Sequence, residues 1–190
     1  MMAGATPAEK ETWKLDAPQN FRFTNQGDVY TLQHFDDTKE WESLKKALHV
    51  LNFQKSDQTA LFDAMAGLLH AGEMGFADDG DEGSVLGESD SVQAALQHTC
   101  ALLGLKAVEL VATLTTKTLV TRGETMVKKC KVPEAKSSLD SLVKAIYGRL
   151  FEWIVTSINY CIQVESSQVR ADIGVLDIFG FECFLHNSFE

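Results

Sequence analysis

Apolar side chains recur every three or four residues along several stretches of the chain, which predicts helices that each bury one face. In the first stretch, Trp41, Leu44 and Leu48 share such a face. Glycines after two of these stretches are typical helix ends. The predicted helices span residues 37–50, 57–71 (N-cap Ser56, end at Gly72), 91–103 (end at Gly104) and a short segment around 108–111.

The longest periodic stretch covers residues 133–164 and predicts a helix of about 45 Å. Pro133 suits its first turn, where a missing N–H costs no hydrogen bond. Phe151 and Val155 widen the apolar face, so we expect neighbours on more than one side of this helix. Strict heptads are not kept, which argues against a coiled coil.

Three other segments lack helical periodicity. Residues 1–20 are polar and contain Pro7 and Pro18, which predicts a flexible leader over residues 1–14. Residues 21–35 predict an extended segment and a turn. Residues 77–90 contain six carboxylates and three glycines, which predicts a surface loop. An EF-hand calcium loop is the alternative, but the acidic positions do not follow its register.

A small β-hairpin is predicted where residues 114–120 alternate threonine with apolar residues. A basic segment follows it, with a turn expected at Gly123. Farther along, residues 172–179 form an apolar run broken by Asp177, as in a strand buried on both faces of a sheet. The sequence contains no comparable second strand, so we expect its partners to lie outside this chain.

Composition narrows the function classes. Seventeen basic against 27 acidic residues give a net charge of −10, which argues against binding duplex nucleic acid or a polybasic membrane anchor. No apolar run reaches 18 residues and the first residues lack an apolar core, so neither a membrane span nor a signal peptide is expected. The four cysteines predict reduced thiols in the cytoplasm, and the histidines lack zinc-site spacing.

Candidate chemistry is concentrated in residues 175–182, VLDIFGFE. Asp177 would end a strand, at the edge where parallel sheets bind ligands and where an Asp holds Mg²⁺ in phosphate-binding NTPases. Gly180 allows close backbone approach to a phosphate oxygen. Glu182 is placed to pair with a cation. A strand followed by an ordinary turn remains the alternative.

These residues resemble switch II of the myosin motor domain, and other motifs follow in the family's order. Residues 187–190 (NSFE) resemble the start of the family's relay helix. Residues 147–159 (YGRLFEWIVTSIN) resemble a long helix of the same motor domain. The remaining matches are residues 68–72 (LLHAG), 121–124 (TRGE) and 140–144 (DSLVK). The resemblance runs from about residue 15 to residue 190.

The resemblance implies a mostly α-helical (α+β) fragment of the P-loop NTPase-type motor domain, covering its upper 50-kDa subdomain. A long helix would lead into one strand of the central sheet. Asp177 would hold Mg²⁺ through water, Gly180 would sense the γ-phosphate, and Glu182 would pair with an arginine of switch I. Neighbouring residues would support this nucleotide switch: Ile178, Phe179 and Phe181.

The segment 117–131 is similar to the loop by which myosins touch actin. The resemblance implies actin contact for Lys117, Arg122, Lys128, Lys129 and Lys131. Glu124 stands sixteen residues before Asp140, at a position that is acidic or phosphorylated in the family, which predicts a permanently negative site. A solvated basic hairpin without a partner is the alternative.

The resemblance implies ATP, Mg²⁺, actin filaments and the remainder of a motor domain as ligands and partners, in the cytoplasmic cytoskeleton. No G-x-x-x-x-G-K-[ST] occurs in the 190 residues, and switch I is not found. We therefore expect no ATPase activity from this chain alone. The rival hypothesis is a non-catalytic actin- or protein-binding helical module derived from a myosin head.

Overall fold

The computed structural model of the chain describes residues 1–27, 29–80, 83–121, 124–164 and 171. These residues form a mostly helical structure, as predicted, with two small antiparallel sheets, of which only the second lies where a β-hairpin was predicted. The helices are α1 (Pro7–Thr12), α2 (Asp37–Val50), α3 (Lys55–Gly72), α4 (Asp90–Leu103), α5 (Ala107–Thr115) and α6 (Val132–Ile162), with a 3-10 turn at Pro18–Asn20. The strands are β1 (Phe76–Asp78), β2 (Ser84–Leu86), β3 (Thr116–Thr121) and β4 (Glu124–Lys129).

Helix prediction from apolar periodicity is confirmed for α2, α3, α4 and α6. At the end of α4, Gly104 takes a φ of +66°, a conformation that glycine adopts without strain. The predicted N-cap Ser56 is wrong, because α3 begins at Lys55, two residues before the predicted start, and its N-cap is Gln54. Asp57 then accepts a hydrogen bond from the Gln54 N–H at 3.1 Å.

The amino-terminal segment differs from the predicted flexible leader. Residues 7–12 form α1, in which the Thr6 hydroxyl and the Glu9 carboxylate cap each other's backbone N–H groups. Trp13 is buried and lies edge-on to Trp41 and Phe62, with ring centroids 6.0 and 5.7 Å away. The segment is polar in composition, yet the buried Trp13 fixes it against α2 and α3.

Two further segments differ from their predictions. Residues 21–27 and 29–35 form turns and irregular backbone rather than an extended strand. Residues 77–90, predicted as a loop, contain β2 and all but the first residue of β1, and the two strands pair antiparallel with Phe76 opposite Leu86. Strands of three residues are too short to show a period-two pattern, which is why the sequence did not indicate them.

The core consists of two clusters of buried side chains. The first joins the amino-terminal segment to α2 and α3, and Trp41 is buried within it. The second joins α4, α5 and the start of α6, and Leu114 and Leu139 are buried within it. Between them, Arg22 forms an ion pair with Asp140 of α6. The second cluster holds α5 and the first turns of α6, which flank β3 and β4, and the first cluster meets α6 farther along at Leu150, Ile154 and Ile158.

Helix α6 contacts α3, α5, β1 and β2, but Phe151 and Val155, which were expected to meet a further neighbour, are exposed. Its buried residues are Ala135 and Leu139, both in the first third of the helix. Beyond them, its exposed large apolar side chains in the described residues are Tyr147, Phe151, Trp153, Val155, Tyr160 and Ile162. The predicted strand over 172–179 and the relay-helix start over 187–190 lie outside the described residues.

Within the described residues, no single helix is both long and apolar enough to cross a bilayer. Helices α4 and α5 reach that length and apolar content when taken together, but they meet at 113°.

Candidate functional site

The structure describes one of the two predicted sites. The predicted nucleotide-switch residues lie outside the described residues: Asp177, Ile178, Phe179, Gly180, Phe181 and Glu182. Arg122 of the basic segment lies outside them too. The other basic residues lie on and beside β3 and β4. Lys117 belongs to β3, Lys128 and Lys129 to β4, and Lys131 is the N-cap of α6.

Strands β3 and β4, together called the basic hairpin, pair antiparallel over six positions. Lys117 stands opposite Lys128, and Thr116 stands opposite Lys129. Glu124 begins β4 opposite Thr121. Since side chains alternate between the two faces of a strand, Lys117 and Lys128 share one face, and Lys129 lies on the other.

The face with Lys117 and Lys128 is neighboured by a carboxylate of α6. Like charges directly opposite each other destabilise a strand pair. The negative charge of Glu134 reduces the repulsion between Lys117 and Lys128. Its carboxylate accepts a hydrogen bond from the Lys117 ammonium at 3.1 Å and from the Lys131 N–H at 2.9 Å. The Lys131 N–H, then Lys117 and Lys128, lower the pKa of Glu134.

The opposite face is neighboured by β1 and β2, together called the acidic hairpin. Asp79, which follows β1, forms an ion pair with Lys129. The aliphatic part of Lys129 lies against Gly83, where an added Cβ would stand 2.6 Å from the lysine Cδ. Among the described contacts, Glu134 of α6 thus meets one face of the basic hairpin and Asp79 meets the other.

Cys130 joins both hairpins to the core at the point where β4 ends. It is 1% exposed, and its N–H donates to the carbonyl oxygen of Thr115 at 2.8 Å. Its own carbonyl oxygen accepts from the buried Ser84 hydroxyl at 2.8 Å. Ser84 is therefore the buried polar link between the acidic hairpin and the base of the basic hairpin.

The basic hairpin offers cations and apolar side chains to solvent. Met126 and Val127 are 62% and 70% exposed, and the described lysines of the hairpin are exposed as well. Exposed apolar groups beside charged groups are typical of a surface that contacts another macromolecule. No group of three or more metal-ligating side chains occurs in the parts of the chain that the structure describes.

Sequence reasoning missed Asp79, Ser84 and Glu134 as parts of this site. Asp79 and Ser84 lie 50 and 46 residues from their partners Lys129 and Cys130, so local spacing carries no signal for those contacts. Glu134 was detectable in principle, because an acidic residue in the first turn of a helix commonly accepts a backbone N–H there.

Comparison with known proteins assigns the whole chain. The family match is to the myosin head (motor domain), over residues 1–190. Among curated proteins, myosin-14 of Arabidopsis thaliana is 36% identical over 190 residues, and the non-muscle myosin-2 heavy chain of Acanthamoeba castellanii is 37% identical over 191 residues. Both matches cover 100% of this chain but only 12% of the relative's length.

The match agrees with the motifs in the sequence and extends over the amino-terminal segment as well, which the motifs did not reach. Helices, a projecting basic hairpin and the long helix α6 occur in one continuous matched region. On this evidence the chain belongs to the myosin head (motor domain) family.

Proposed function

We propose that this chain is part of an ATP-driven, actin-based motor, to which it contributes an actin-contact hairpin and a nucleotide-switch loop. The observation that carries the proposal is the family match over all 190 residues. The upper 50-kDa subdomain of a P-loop NTPase-type motor is the location proposed for it, and the cytoplasmic cytoskeleton its place in the cell.

The proposed actin contact is the basic hairpin. Its lysines lie on a chain whose net charge is −10, so they form a local exception to an acidic surface. A projecting cationic segment aids encounter with an acidic filament and fixes orientation, and salt weakens that effect. The proposed contact residues are Lys117, Arg122, Glu124, Lys128, Lys129 and Lys131.

The proposed nucleotide switch is residues 177–182, supported by the sequence motif and the family match. In a complete motor, Asp177 would hold Mg²⁺ through water and Glu182 would pair with a switch I arginine. The Gly180 N–H would meet the γ-phosphate of ATP. Ile178, Phe179 and Phe181 would support the loop and relay its position to the next helix.

A non-catalytic actin- or protein-binding module is the second candidate function. It is favoured by the basic hairpin itself, where Met126 and Val127 are 62% and 70% exposed beside exposed lysines. Such a surface can bind a partner without nucleotide chemistry. Both candidates use the basic hairpin, and they differ in whether residues 177–182 act on nucleotide.

Actin co-sedimentation of the 190-residue chain tests the contact. We expect binding at low salt that falls at moderate salt and does not respond to ATP. Lys128→Ala should weaken it about threefold, whereas Lys46→Ala, which removes an exposed lysine of α2, should leave it unchanged. A folded chain that does not sediment with actin, or equal effects of both variants, would contradict the proposed contact.

A complete motor carrying this segment tests the switch. Glu182→Ala should lower ATP turnover both with and without actin, because the site could not close around the nucleotide. Glu124→Ala should instead reduce only the stimulation by actin. Unchanged turnover in the Glu182 variant would favour the non-catalytic candidate, and unchanged stimulation in the Glu124 variant would remove that residue from the contact.

A further inference from the structure

We infer that Asp79 of the acidic hairpin is a positioning residue that sets the direction in which the basic hairpin projects. The inference deepens the proposed function, because it rests on the basic hairpin being the actin contact. Asp79 acts through Lys129 rather than by touching the filament.

The basic hairpin needs such support because a two-stranded hairpin has little stability of its own. In β4, residues 125–129 are exposed, and in β3 Lys117 and Thr118 are exposed. Among the described side chains of the hairpin and its base, the buried ones are Thr115 and Cys130, at the base. Its direction therefore depends on contacts close to residues 115–117 and 129–131.

Those contacts come from opposite sides. On one face, Glu134 of α6 lies 3.1 Å from the Lys117 ammonium. On the other face, Asp79 pairs with Lys129. A hairpin held by one carboxylate alone could rotate toward it, whereas opposed carboxylates define one direction. The buried Ser84 hydroxyl fixes the acidic hairpin to Cys130, so Asp79 is held at a set distance from β4.

The fit of Lys129 depends on shape as well as charge. Gly83 leaves room for the lysine stem, and a Cβ there would stand 2.6 Å from Cδ and 3.1 Å from Cβ of Lys129. Gly83→Ala would displace the stem while leaving every charge in place. It is therefore a second variant, which separates position from electrostatics.

The test compares the chain with Asp79→Asn, Gly83→Ala and Glu88→Gln. Glu88 is an exposed carboxylate just after β2, so its variant removes the same charge without touching Lys129. Amide hydrogen exchange of residues 116–129 measures how firmly the hairpin is held closed, and actin co-sedimentation measures its binding to the filament. Exposed ion pairs are worth little, so effects of about two- to fivefold are expected.

We expect Asp79→Asn and Gly83→Ala to speed exchange in β3 and β4 about threefold and to weaken actin binding by a similar factor. Glu88→Gln should match the unmodified chain in both measurements. Exchange that is unchanged in Asp79→Asn, or changed equally in Glu88→Gln, would overturn the positioning role. Faster exchange in Asp79→Asn with no actin binding by the unmodified chain would support that role and contradict only the proposed actin contact.

Discussion

The two ends of the described chain contrast sharply in how well composition predicts burial. The first 21 residues are polar, yet Ala5, Trp13, Leu15 and Phe21 are buried. The second half of α6 is rich in aromatic residues, yet Phe151 and Tyr160 are 58% and 74% exposed. Burial in this chain thus follows from which surfaces meet, rather than from the share of apolar residues in a segment.

The amino-terminal segment is held by a few specific contacts. The indole N–H of Trp13 donates to the Asp63 carboxylate at 2.8 Å. The backbone carbonyl oxygen of Trp13 lies 2.8 Å from Nε2 of His70. The Glu9 carboxylate accepts from the Trp41 indole at 3.1 Å and from the Lys45 ammonium at 3.1 Å. The Trp13 and Trp41 indole N–H groups, which burial would otherwise leave unpaired, each donate to a carboxylate.

The second half of α6 has apolar contacts on one side only. Trp153 meets Phe53 edge-on, with ring centroids 5.5 Å apart, yet remains 38% exposed. A cavity of about 690 Å³ lies beside it, lined by residues of α6 and of the turn after α2. The difference teaches that helical periodicity predicts a face able to be buried, while the partner surface decides whether it is.

Replacing one tryptophan at each end should give the largest difference in the free energy of unfolding between the two ends. Trp13→Ala should lower the free energy of unfolding by about 4 kcal/mol, because it leaves a cavity between Trp41 and Phe62. Trp153→Ala should cost about 1 kcal/mol, because its side chain is already partly in water. Urea unfolding measures both. Equal costs would show that the two ends are equally packed.

Removing the Glu9 contacts should have the next largest effect on the free energy of unfolding. Burial raises the pKa of Glu9, but hydrogen bonds from Thr6, Lys45 and Trp41 outweigh it and bring the pKa to about 2. Glu9→Gln should therefore cost about 1.5 kcal/mol at pH 7. Since the folded pKa is below the ordinary 4.5, this stability is present above pH 4.5 and is lost as the pH falls toward 2.

Glu11→Gln is the matched control for Glu9. Glu11 is exposed and pairs only with the nearby exposed Lys14 among the described ion pairs, so its variant should unfold at nearly the same urea concentration as the unmodified chain at pH 7. A Glu9 variant that is no less stable than the Glu11 variant would show that the carboxylate does not anchor the segment.

His70 makes the amino-terminal anchor sensitive to acid. Burial is the main cause that lowers the pKa of His70, and the nearby His98 lowers it further. The hydrogen bond with the Trp13 carbonyl oxygen and the charge of Glu73 act in the opposite direction. The unfolded chain therefore binds a proton at higher pH than the folded chain does. Stability should fall as the pH drops below about 6.5, by at most about 1.4 kcal/mol per pH unit.

Urea unfolding between pH 7.5 and 5.5 measures this dependence. His70→Gln should flatten the profile, because no proton is then taken up at this position on unfolding. His49→Gln changes an exposed histidine of α2 and should retain the slope. A slope that survives in the His70 variant would assign the acid sensitivity to other groups.

The exposed face of α6 gives the smallest expected effect on stability. Phe151→Gln should change the free energy of unfolding by less than about 0.5 kcal/mol, since the ring is mostly in water. The same change should reduce self-association of the chain in sedimentation velocity, because it interrupts an exposed apolar surface. Leu139→Gln, which buries an amide in the same helix, should instead destabilise the fold strongly. A large loss of stability in the Phe151 variant would show that this face is already packed.

Much of the helical structure was determined by the sequence itself. Repeats of three and four residues predicted α2, α3, α4 and α6 to within about two residues, and Gly104 marked an end. Threonine alternation over residues 114–120 predicted β3, although Leu114 and Thr115 belong to α5, and β4 forms where a basic loop was predicted. Short-range signals of this kind depend on side-chain spacing along one element, which the sequence displays directly.

Tertiary structure alone decided the rest. It anchored Trp13, paired β1 with β2, and brought Asp79 and Glu134 to opposite faces of the basic hairpin. It also left Phe151 exposed on a face that periodicity marked as apolar. These outcomes depend on contacts between residues far apart in the chain, whose free energy comes from excluding water at a shared surface, and no local spacing encodes which surfaces meet.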